Sequence, residues 1–246
     1  MTDKYIQDAG HGGNDPGACA KGNIEKVYTL EAALYVDKRL GEHGINSITT
    51  RSTDVTLDET PRTSKVKSSG AQRCISHHYN AGGGEGMELI HSIHSDGKFE
   101  KLIAEEFKKE GFPLRPRTIF TRKGSNGQDY YYMHRKTGNV STTIIEYDFV
   151  DGDNADKFKS KAYREGMYEC LVRAICKQEN VTYKPLKREE VKYVTKELSA
   201  WEKELKESAE FVKEKGISDG SNLDKPLNRG ELFVILKRAS EKGINL

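Results

Sequence analysis

Cysteine and long apolar segments are both scarce in this sequence of 246 residues. Four cysteines in a chain of this length do not make a disulfide framework, so we predict reduced thiols. None of them lies in a CxxC pair, which also disfavours a thiolate metal site. No apolar run approaches the roughly 18 residues that a membrane-spanning helix needs. The charge is nearly balanced, with 40 basic and 38 acidic residues, so the chain lacks the positive excess by which proteins bind nucleic acid. We therefore expect a globular protein with no membrane insertion and no nucleic-acid partner.

What the sequence does contain is an alternation of strand-like and helix-like segments over its first three quarters. Short β-branched and apolar runs predict strands, and apolar residues that recur three or four positions apart predict helices. This alternation is typical of an α/β fold with a largely parallel or mixed sheet flanked by helices. The predicted strands are Lys4–Gln7, Ile45–Arg51, Cys74–Ser76, Met87–Ile90 and Ser141–Tyr147, and the predicted helices are the segment with Val27, Leu30, Leu34 and Leu40, then Leu102–Phe107 and Ala155–Cys176.

The sequence pattern changes near Gln178, and this change predicts a second structural unit. We predict a large domain over residues 1–178, a linker over 179–186 and a small helical C-terminal module over 187–246. A stripe of apolar residues within the module begins at Trp201 and ends at Val212. A module of about 60 residues is marginal for an independent core, so it either forms a small helical fold or leans on its neighbour.

The most informative segment is glycine-rich and carries His11 just after the first predicted strand. Glycines allow the backbone to approach a ligand closely, and ligands of open α/β sheets bind outside the carboxyl ends of the strands. Two other interpretations are a tight turn with an incidental histidine and a phosphate cradle. The segment matches neither GxGxxG nor GxxxxGK[ST], so a ligand-binding histidine is the favoured interpretation.

Three further polar residues fall in comparable positions. Glu25 begins the first predicted helix, His78 follows a predicted strand, and Glu146 lies near the carboxyl end of another. Two histidines and one glutamate can hold zinc with a fourth position open to water, and a further carboxylate can carry the proton. Taken alone, Glu25 is more typical of an acid in the first turn of a helix, where the helix dipole favours negative charge. Glu146 in a buried strand needs a partner or a function.

Other histidines compete with this set. His77 and His78 are adjacent and point to opposite faces of a strand, so at most one of them enters the site. His91 and His94 form an HxxH pair that faces opposite ways at strand spacing, and we interpret both as surface or core residues.

Taken together, these segments resemble the zinc-dependent N-acetylmuramoyl-L-alanine amidases of the amidase-3 type, which occur in bacterial autolysins and phage endolysins. The resemblance extends from about Lys4 to about Cys176. Five motifs in the same order carry it: DAGHGGNDPGA at Asp8–Ala18, NIEKVYTLEAA at Asn23–Ala33, RSTDVTLDETPR at Arg51–Arg62, SHHYNA at Ser76–Ala81 and IIEYDFVDGDNAD at Ile144–Asp156.

The resemblance implies zinc (Zn2+) ligands at His11, Glu25 and His78 and a catalytic glutamate at Glu146. The implied reaction is hydrolysis, by zinc-activated water, of the amide bond between N-acetylmuramic acid and L-alanine of the stem peptide. This hydrolysis would cleave the bacterial cell wall. The sequence departs from the family at His77, where the family usually has a small or apolar residue before the metal histidine.

Three other residues receive substrate-binding roles from the resemblance. Asn80 would position the site, and Arg51 or Arg62 would bind carboxylates of the stem peptide. A structural ion pair is an equally good interpretation of Arg62.

The C-terminal segment Phe211–Ala239 is similar to the repeat of surface-layer homology modules, with Arg229 and Glu231 in the RxE position. This similarity implies binding to bacterial wall polymer. The alternatives are a helical cap on the large domain and a dimerisation element, and the oligomeric state stays open.

The residues Met1–Ile6 show no signal-peptide or lipidation pattern. We therefore expect a phage endolysin, made in the host cytoplasm and acting on the wall after the membrane has been permeabilised. Two rival functions are a zinc peptidase that cleaves within the stem peptide and a wall-binding protein without activity. A glycosidase would need two carboxylates and no metal.

Overall fold

A computed structural model describes residues 4–186 of the chain. The strands are β1 (Tyr5–Ala9), β2 (Cys19–Ala20), β3 (Asn23–Ile24), β4 (Ser47–Thr49), β5 (Arg73–Asn80), β6 (Met87–His91), β7 (Leu114–Phe120) and β8 (Ser141–Phe149). The helices are α1 (Glu25–Glu42), α2 (Glu59–Ser68), α3 (Lys98–Lys109), α4 (Tyr132–Arg135) and α5 (Lys161–Gln178), with a 3₁₀ turn at Ala155–Lys159 before α5.

Six of the strands form one sheet in the order β4-β1-β5-β8-β6-β7. All neighbouring pairs are parallel except β8 and β6, which are antiparallel. The expected α/β fold with a largely parallel, mixed sheet is therefore confirmed. Because β1, β5 and β8 run in the same direction, the loops that follow them meet at one edge of the sheet.

Alternation along the strands builds two cores, one on each face of the sheet. The larger core lies under α1, α3 and α5 and takes residues such as Tyr5, Ile75 and Ile145. The smaller core takes the intervening residues Ile6 and Ile144 and packs against α2 and α4. This second face is only partly covered by helices, which leaves room there for a cavity.

Helix α1 forms where predicted, and only part of the apolar series that predicts it is buried. Val27 is 51% exposed and Leu34 is 37% exposed, whereas Ala32, Ala33 and Val36 are fully buried. Small residues allow the helix to approach the sheet closely, so the alanines face the core, whereas Val27 and Leu34 point outward. The spacing of Val27 and Leu34 therefore predicts the helix correctly, although both side chains are exposed.

Five elements have no counterpart among the predicted ones: β2, β3, α2, α4 and β7. Helix α2 carries mostly polar residues, with Val66 as its main apolar contact, and β7 contains Pro116 and two arginines. The predicted single helix over Ala155–Cys176 is interrupted at Ser160, whose side chain accepts a hydrogen bond from the Tyr163 amide and caps α5.

The residues after α5 continue along the large domain. Tyr183 packs against the larger core and its hydroxyl donates to Glu169, while the Lys184 amide donates to His43 Nε2 at 2.9 Å. The predicted helical module over 187–246, with its Trp201–Val212 stripe, lies outside the described residues. The chain divides into two units, Met1–Lys184 and Pro185–Leu246.

Two expectations from composition concern the cysteines and the membrane. Cys74, Cys170 and Cys176 are buried, Cys19 is exposed, and all four are free thiols. Among residues 4–186, no helix combines the length and apolar character needed to cross a bilayer.

Candidate metal centre

The glycine-rich loop after β1 places the first histidine at the edge of the sheet. The Gly10 amide donates to the His77 carbonyl at 3.1 Å and thereby ties the start of the loop to β5. His11 follows with a φ of 58°, a left-handed conformation that is uncommon for a residue with a side chain. The Arg62 guanidinium holds this conformation by donating to the His11 carbonyl at 2.8 Å.

Glu25, the first residue of α1, brings the second possible metal ligand to the same edge of the sheet. Its Oε1 lies 3.1 Å from His11 Nε2 and 3.0 Å from His78 Nδ1, and it also accepts from the Tyr79 amide at 3.0 Å. Its Oε2 accepts from the Ala18 amide at 2.8 Å. Both carboxylate oxygens are thus oriented by the backbone of neighbouring elements.

His11, Glu25 and His78 form a compact donor set. One donor atom from each lies within 4.8 Å of the other two, and this is the group that residues 4–186 offer for a metal ion. The three residues that the sequence pairs with zinc are therefore brought together. His78 lies within β5 rather than after it, because β5 continues to Asn80.

Electrostatics in this donor set favour a cation. Burial alone would raise the pKa of Glu25, but its contacts with both histidines hold that pKa well below its usual range. Burial alone would lower the pKa of His78, yet the hydrogen bond that its ring donates to Glu25 and the charge of Glu146 raise it to about 9. A site that stabilises positive charge on its imidazoles in this way fits zinc, which is commonly held by imidazole nitrogen and carboxylate oxygen.

Two glycines leave the space that these side chains occupy. A Cβ atom on Gly10 would lie 2.4 Å from His78 Cε1, and one on Gly17 would lie 2.6 Å from Glu25 Oε2. Gly17 also has a φ of 66°, in the left-handed region. The glycines of the motif are therefore needed for close approach.

Glu146 on β8 supplies a further carboxylate beside the donor set. It is paired in register with His78 on β5 and with Glu88 on β6. Its Oε2 is buried and has no hydrogen-bond partner among the described residues. Burial raises the pKa of Glu146; the charge of His78 opposes this and those of Glu25 and Glu88 add to it, which brings the pKa to about 7. Such a carboxyl group can both accept and release a proton near neutrality.

His77 points to the opposite face of the sheet. Its Nδ1 lies 2.9 Å from the Tyr147 hydroxyl and its Nε2 lies 3.1 Å from Gln7 Oε1. Burial lowers the pKa of His77 to about 3, so the ring is neutral. This neutral, hydrogen-bonded ring belongs to the interior and not to the donor set.

The two arginines that the sequence assigns to the substrate are both buried. Arg51 is 3% exposed and donates to four backbone carbonyls. Arg62 is also 3% exposed, and its Nη1 lies 2.7 Å from Asp8 Oδ1. Both arginines contact the glycine-rich loop, and Arg62 also lines the cavity beside the donor set. Their substrate-binding roles stay predictions.

The donor set and Glu146 open into one cavity of about 590 Å³. Asn80 lies in its lining, where its Nδ2 donates to Glu88 Oε2 at 2.7 Å. Sequence reasoning missed the aromatic wall formed by Tyr131 and Tyr132, although three consecutive tyrosines begin at Tyr130. A wall of this kind suits an extended polar substrate that also carries apolar surface.

Comparison with known proteins links this site to one family. The sequence profile of a family described as N-acetylmuramoyl-L-alanine amidase matches residues 6–177. The chain is 32% identical over 166 residues to the N-acetylmuramoyl-L-alanine amidase CwlM of Bacillus licheniformis, a match that covers 65% of this chain and 62% of that protein.

The fold of the chain is also similar to those of solved structures. Cwp6 from Clostridium difficile superposes with a TM-score of 0.66 at 31% identity, over 73% of this chain and 29% of that one. The catalytic domain of CwlV, an amidase from Bacillus (Paenibacillus) polymyxa, superposes with a TM-score of 0.64 at 20% identity, over 74% of this chain and all of that domain. The chain thus spans less than two thirds of CwlM and of Cwp6.

Proposed function

Because the chain belongs to the N-acetylmuramoyl-L-alanine amidase family, we propose that it hydrolyses the amide bond between N-acetylmuramic acid and L-alanine in peptidoglycan. We further propose that zinc is its cofactor, held by His11, Glu25 and His78. The observation that carries the proposal is the placement of Glu146, a carboxylate with a free oxygen, in one cavity with the metal donor set.

In this proposal, His11, Glu25 and His78 bind the metal and Glu146 transfers the proton. Zinc, when bound, would polarise the substrate carbonyl and lower the pKa of water. Glu146 takes a proton from the attacking water at its free Oε2 and passes it to the nitrogen of the departing L-alanine. A pKa near 7 suits both steps, since the same carboxyl must accept and then release the proton.

The cavity also supports a substrate larger than a single amino acid. Its volume of about 590 Å³ and its position on the partly covered face of the sheet give access to a peptide joined to a sugar. Asn80 and the tyrosine wall line this space and would contact the substrate.

The test compares the wild-type protein with Glu146→Gln on purified peptidoglycan. We expect the wild type to release peptides with L-alanine amino termini and to leave the glycan strands intact, as read by mass spectrometry. Chelation should abolish the activity, and zinc should restore it. Glu146→Gln should keep its zinc and lose turnover by about 100- to 10,000-fold.

Glu105→Gln is the matched control, because Glu105 is an exposed residue of α3. It should behave as the wild type does. New amino termini within the stem peptide would identify the zinc-peptidase alternative instead, and an inert wild type would identify a wall-binding protein without activity.

We also propose that residues 187–246 bind wall polymer. The support is the similarity of Phe211–Ala239 to surface-layer homology repeats, since this segment lies outside the described residues. Replacing Arg229 and Glu231 by alanine in the full chain should reduce sedimentation with purified walls and leave cleavage of small muropeptides unchanged. Unchanged sedimentation would contradict wall binding through this motif.

A further inference from the structure

A carboxylate stands behind the first metal-binding histidine. Asp15 Oδ2 lies 2.8 Å from His11 Nδ1, while the other ring nitrogen, Nε2, lies 3.1 Å from Glu25 Oε1. Because an ionised carboxylate only accepts hydrogen bonds, the proton of a neutral His11 ring is held on Nδ1 by Asp15. The lone pair of Nε2 is then left to face Glu25 and His78.

Asp15 is itself held in place by the backbone of its own loop. Its Oδ1 accepts from the Gly17 amide at 3.0 Å. Its amide and carbonyl pair with those of Gly12, at 3.1 and 2.9 Å. The loop thus closes on itself and aims the Asp15 carboxylate at the His11 ring.

The Asp15 side chain is 60% exposed, so the core does not depend on it. Its contacts are confined to the His11 ring and to the loop, which separates its role from that of the buried Arg62. Removing the carboxylate should therefore change the orientation of His11 far more than the stability of the domain.

The second histidine is positioned in a different way. The His78 ring packs against Gly10, where an added Cβ would lie 2.6 Å from its Nε2. The strand β5 and this close packing fix the ring. His11 lies in a loop with a left-handed backbone, where a polar partner has to supply the orientation that packing supplies to His78.

We infer that Asp15 is a positioning residue for the metal site: it holds His11 as the Nδ1-protonated tautomer and orients the ring so that Nε2 binds the ion. The inference rests on the proposed function in taking zinc as the bound metal. Outer carboxylate partners of metal-binding histidines raise metal affinity in this manner, and their loss costs about 10- to 100-fold.

The test measures zinc affinity by competition with a chromophoric chelator for the full chain and its variants. Asp15→Ala should weaken zinc binding by about 10- to 100-fold, with little change in the Tm of the metal-free protein. Asp15→Asn keeps an acceptor oxygen opposite Nδ1 and should recover most of this loss.

Asp54→Ala is the control for loop order. The Asp54 carboxylate binds the same loop, with Oδ1 accepting from the Gly13 amide at 2.7 Å and Oδ2 lying 2.7 Å from Lys26 Nζ, but it does not touch the imidazole. It should bind zinc nearly as the wild type does. Wild-type affinity in Asp15→Ala, or an equal loss in Asp54→Ala, would overturn the inference.

The same measurements separate this inference from the proposed function. A wild type that binds zinc but releases no L-alanine termini, together with weakened binding in Asp15→Ala, would overturn the amidase proposal and support the role of Asp15. An active wild type whose Asp15→Ala variant binds zinc normally would overturn the role of Asp15 alone. A wild type that binds no zinc would overturn both.

Discussion

His78 and Glu146 are direct neighbours across two parallel strands, paired in register between β5 and β8. The backbone hydrogen bonds of the sheet therefore fix the spacing between a metal donor and the carboxylate that would carry the proton. Glu88 continues the same row on β6, in register with Glu146. The strand pairing thus sets the positions of His78, Glu146 and Glu88, and it places the carboxylates of Glu146 and Glu88 beside each other.

The pairing of Glu88 with Glu146 predicts a shift in the pH dependence of activity. Glu146 accepts a proton only when it is ionised, so turnover should rise with pH through the pKa of this carboxyl. Burial, with contributions from Glu25 and Glu88, raises that pKa to about 7. Glu88→Gln removes one negative neighbour, which should lower the pKa of Glu146 and move the rise in kcat to lower pH.

The measurement is a pair of pH–rate profiles at saturating substrate. Bound zinc would lower the pKa of Glu146 in both proteins, so the difference between the two profiles is the readout. The Glu105→Gln profile should superimpose on that of the wild type. A Glu88→Gln profile that stays in place or moves to higher pH would contradict the assignment of Glu146 as the group that titrates.

The opposite faces of β5 predict different consequences for its two adjacent histidines. His78→Ala removes a metal donor, so the purified protein should lose its zinc and its activity together. His77→Ala removes the hydrogen bonds to Tyr147 and Gln7 from the interior, so it should lower the Tm while zinc content stays at the wild-type level. Elemental analysis measures the zinc content of the His78→Ala and His77→Ala proteins. A zinc-free His77→Ala would show that the donor set is wrong.

Much of this arrangement could be predicted from the sequence because it follows from short-range patterns. Alternation along β5 separates His77 from His78, and the glycine-rich motif places His11 at the end of β1. Apolar spacing along α1 predicts the helix but not which side is buried, because size as well as hydrophobicity decides which side chains approach the sheet. Here Ala32 and Ala33 face the core and Val27 is exposed.

Other features depend on contacts between distant segments, which a single sequence does not reveal. Arg51 and Arg62 lie in an exposed-looking polar stretch, yet the fold buries both against the loop that holds His11. Asp15 looks like an ordinary turn residue, and only the left-handed backbone at His11 brings its carboxylate to the ring. The phage setting and the host-cytoplasm localisation stay predictions.

The contact between Gly10 and His78 predicts that a single methyl group can disable the metal site. Gly10→Ala would place a Cβ 2.4 Å from His78 Cε1 and 2.8 Å from the His77 carbonyl, which belongs to the backbone and cannot move freely. We expect zinc affinity to fall sharply because His78 must rotate or β5 must shift. Isothermal titration with zinc measures this.

Gly41→Ala is the matched control, since Gly41 lies within α1 and a Cβ there would meet nothing within 4 Å. It should bind zinc normally and gain about 0.5–1 kcal/mol of stability, because alanine is the better helix former. Normal zinc binding by Gly10→Ala would mean that the loop is looser than the close packing at His78 requires.

The buried pair of Asp8 and Arg62 predicts how stability depends on pH. Burial alone would raise the pKa of Asp8, but Arg62 and hydrogen bonds from Ser76 and Thr50 lower it below its usual value. The pair therefore contributes stability above the unfolded pKa of about 3.9 and loses it as the pH falls through the folded pKa. Arg62→Met leaves the Asp8 carboxylate buried without its counter-ion, which should cost about 3–5 kcal/mol at pH 7.

Without the guanidinium, Asp8 should protonate at higher pH, so the deficit of Arg62→Met relative to the wild type should shrink between pH 7 and pH 5. Urea denaturation at the two pH values measures this change.

Adding Asp8→Asn to Arg62→Met should recover part of the loss at pH 7, because the amide carries no charge that needs a partner. Arg117→Met, on the exposed part of β7, should have little effect at either pH. A deficit that is the same at both pH values, or a double variant no more stable than Arg62→Met, would mean that Arg62 stabilises the loop through its carbonyl contacts and not through the charge of Asp8.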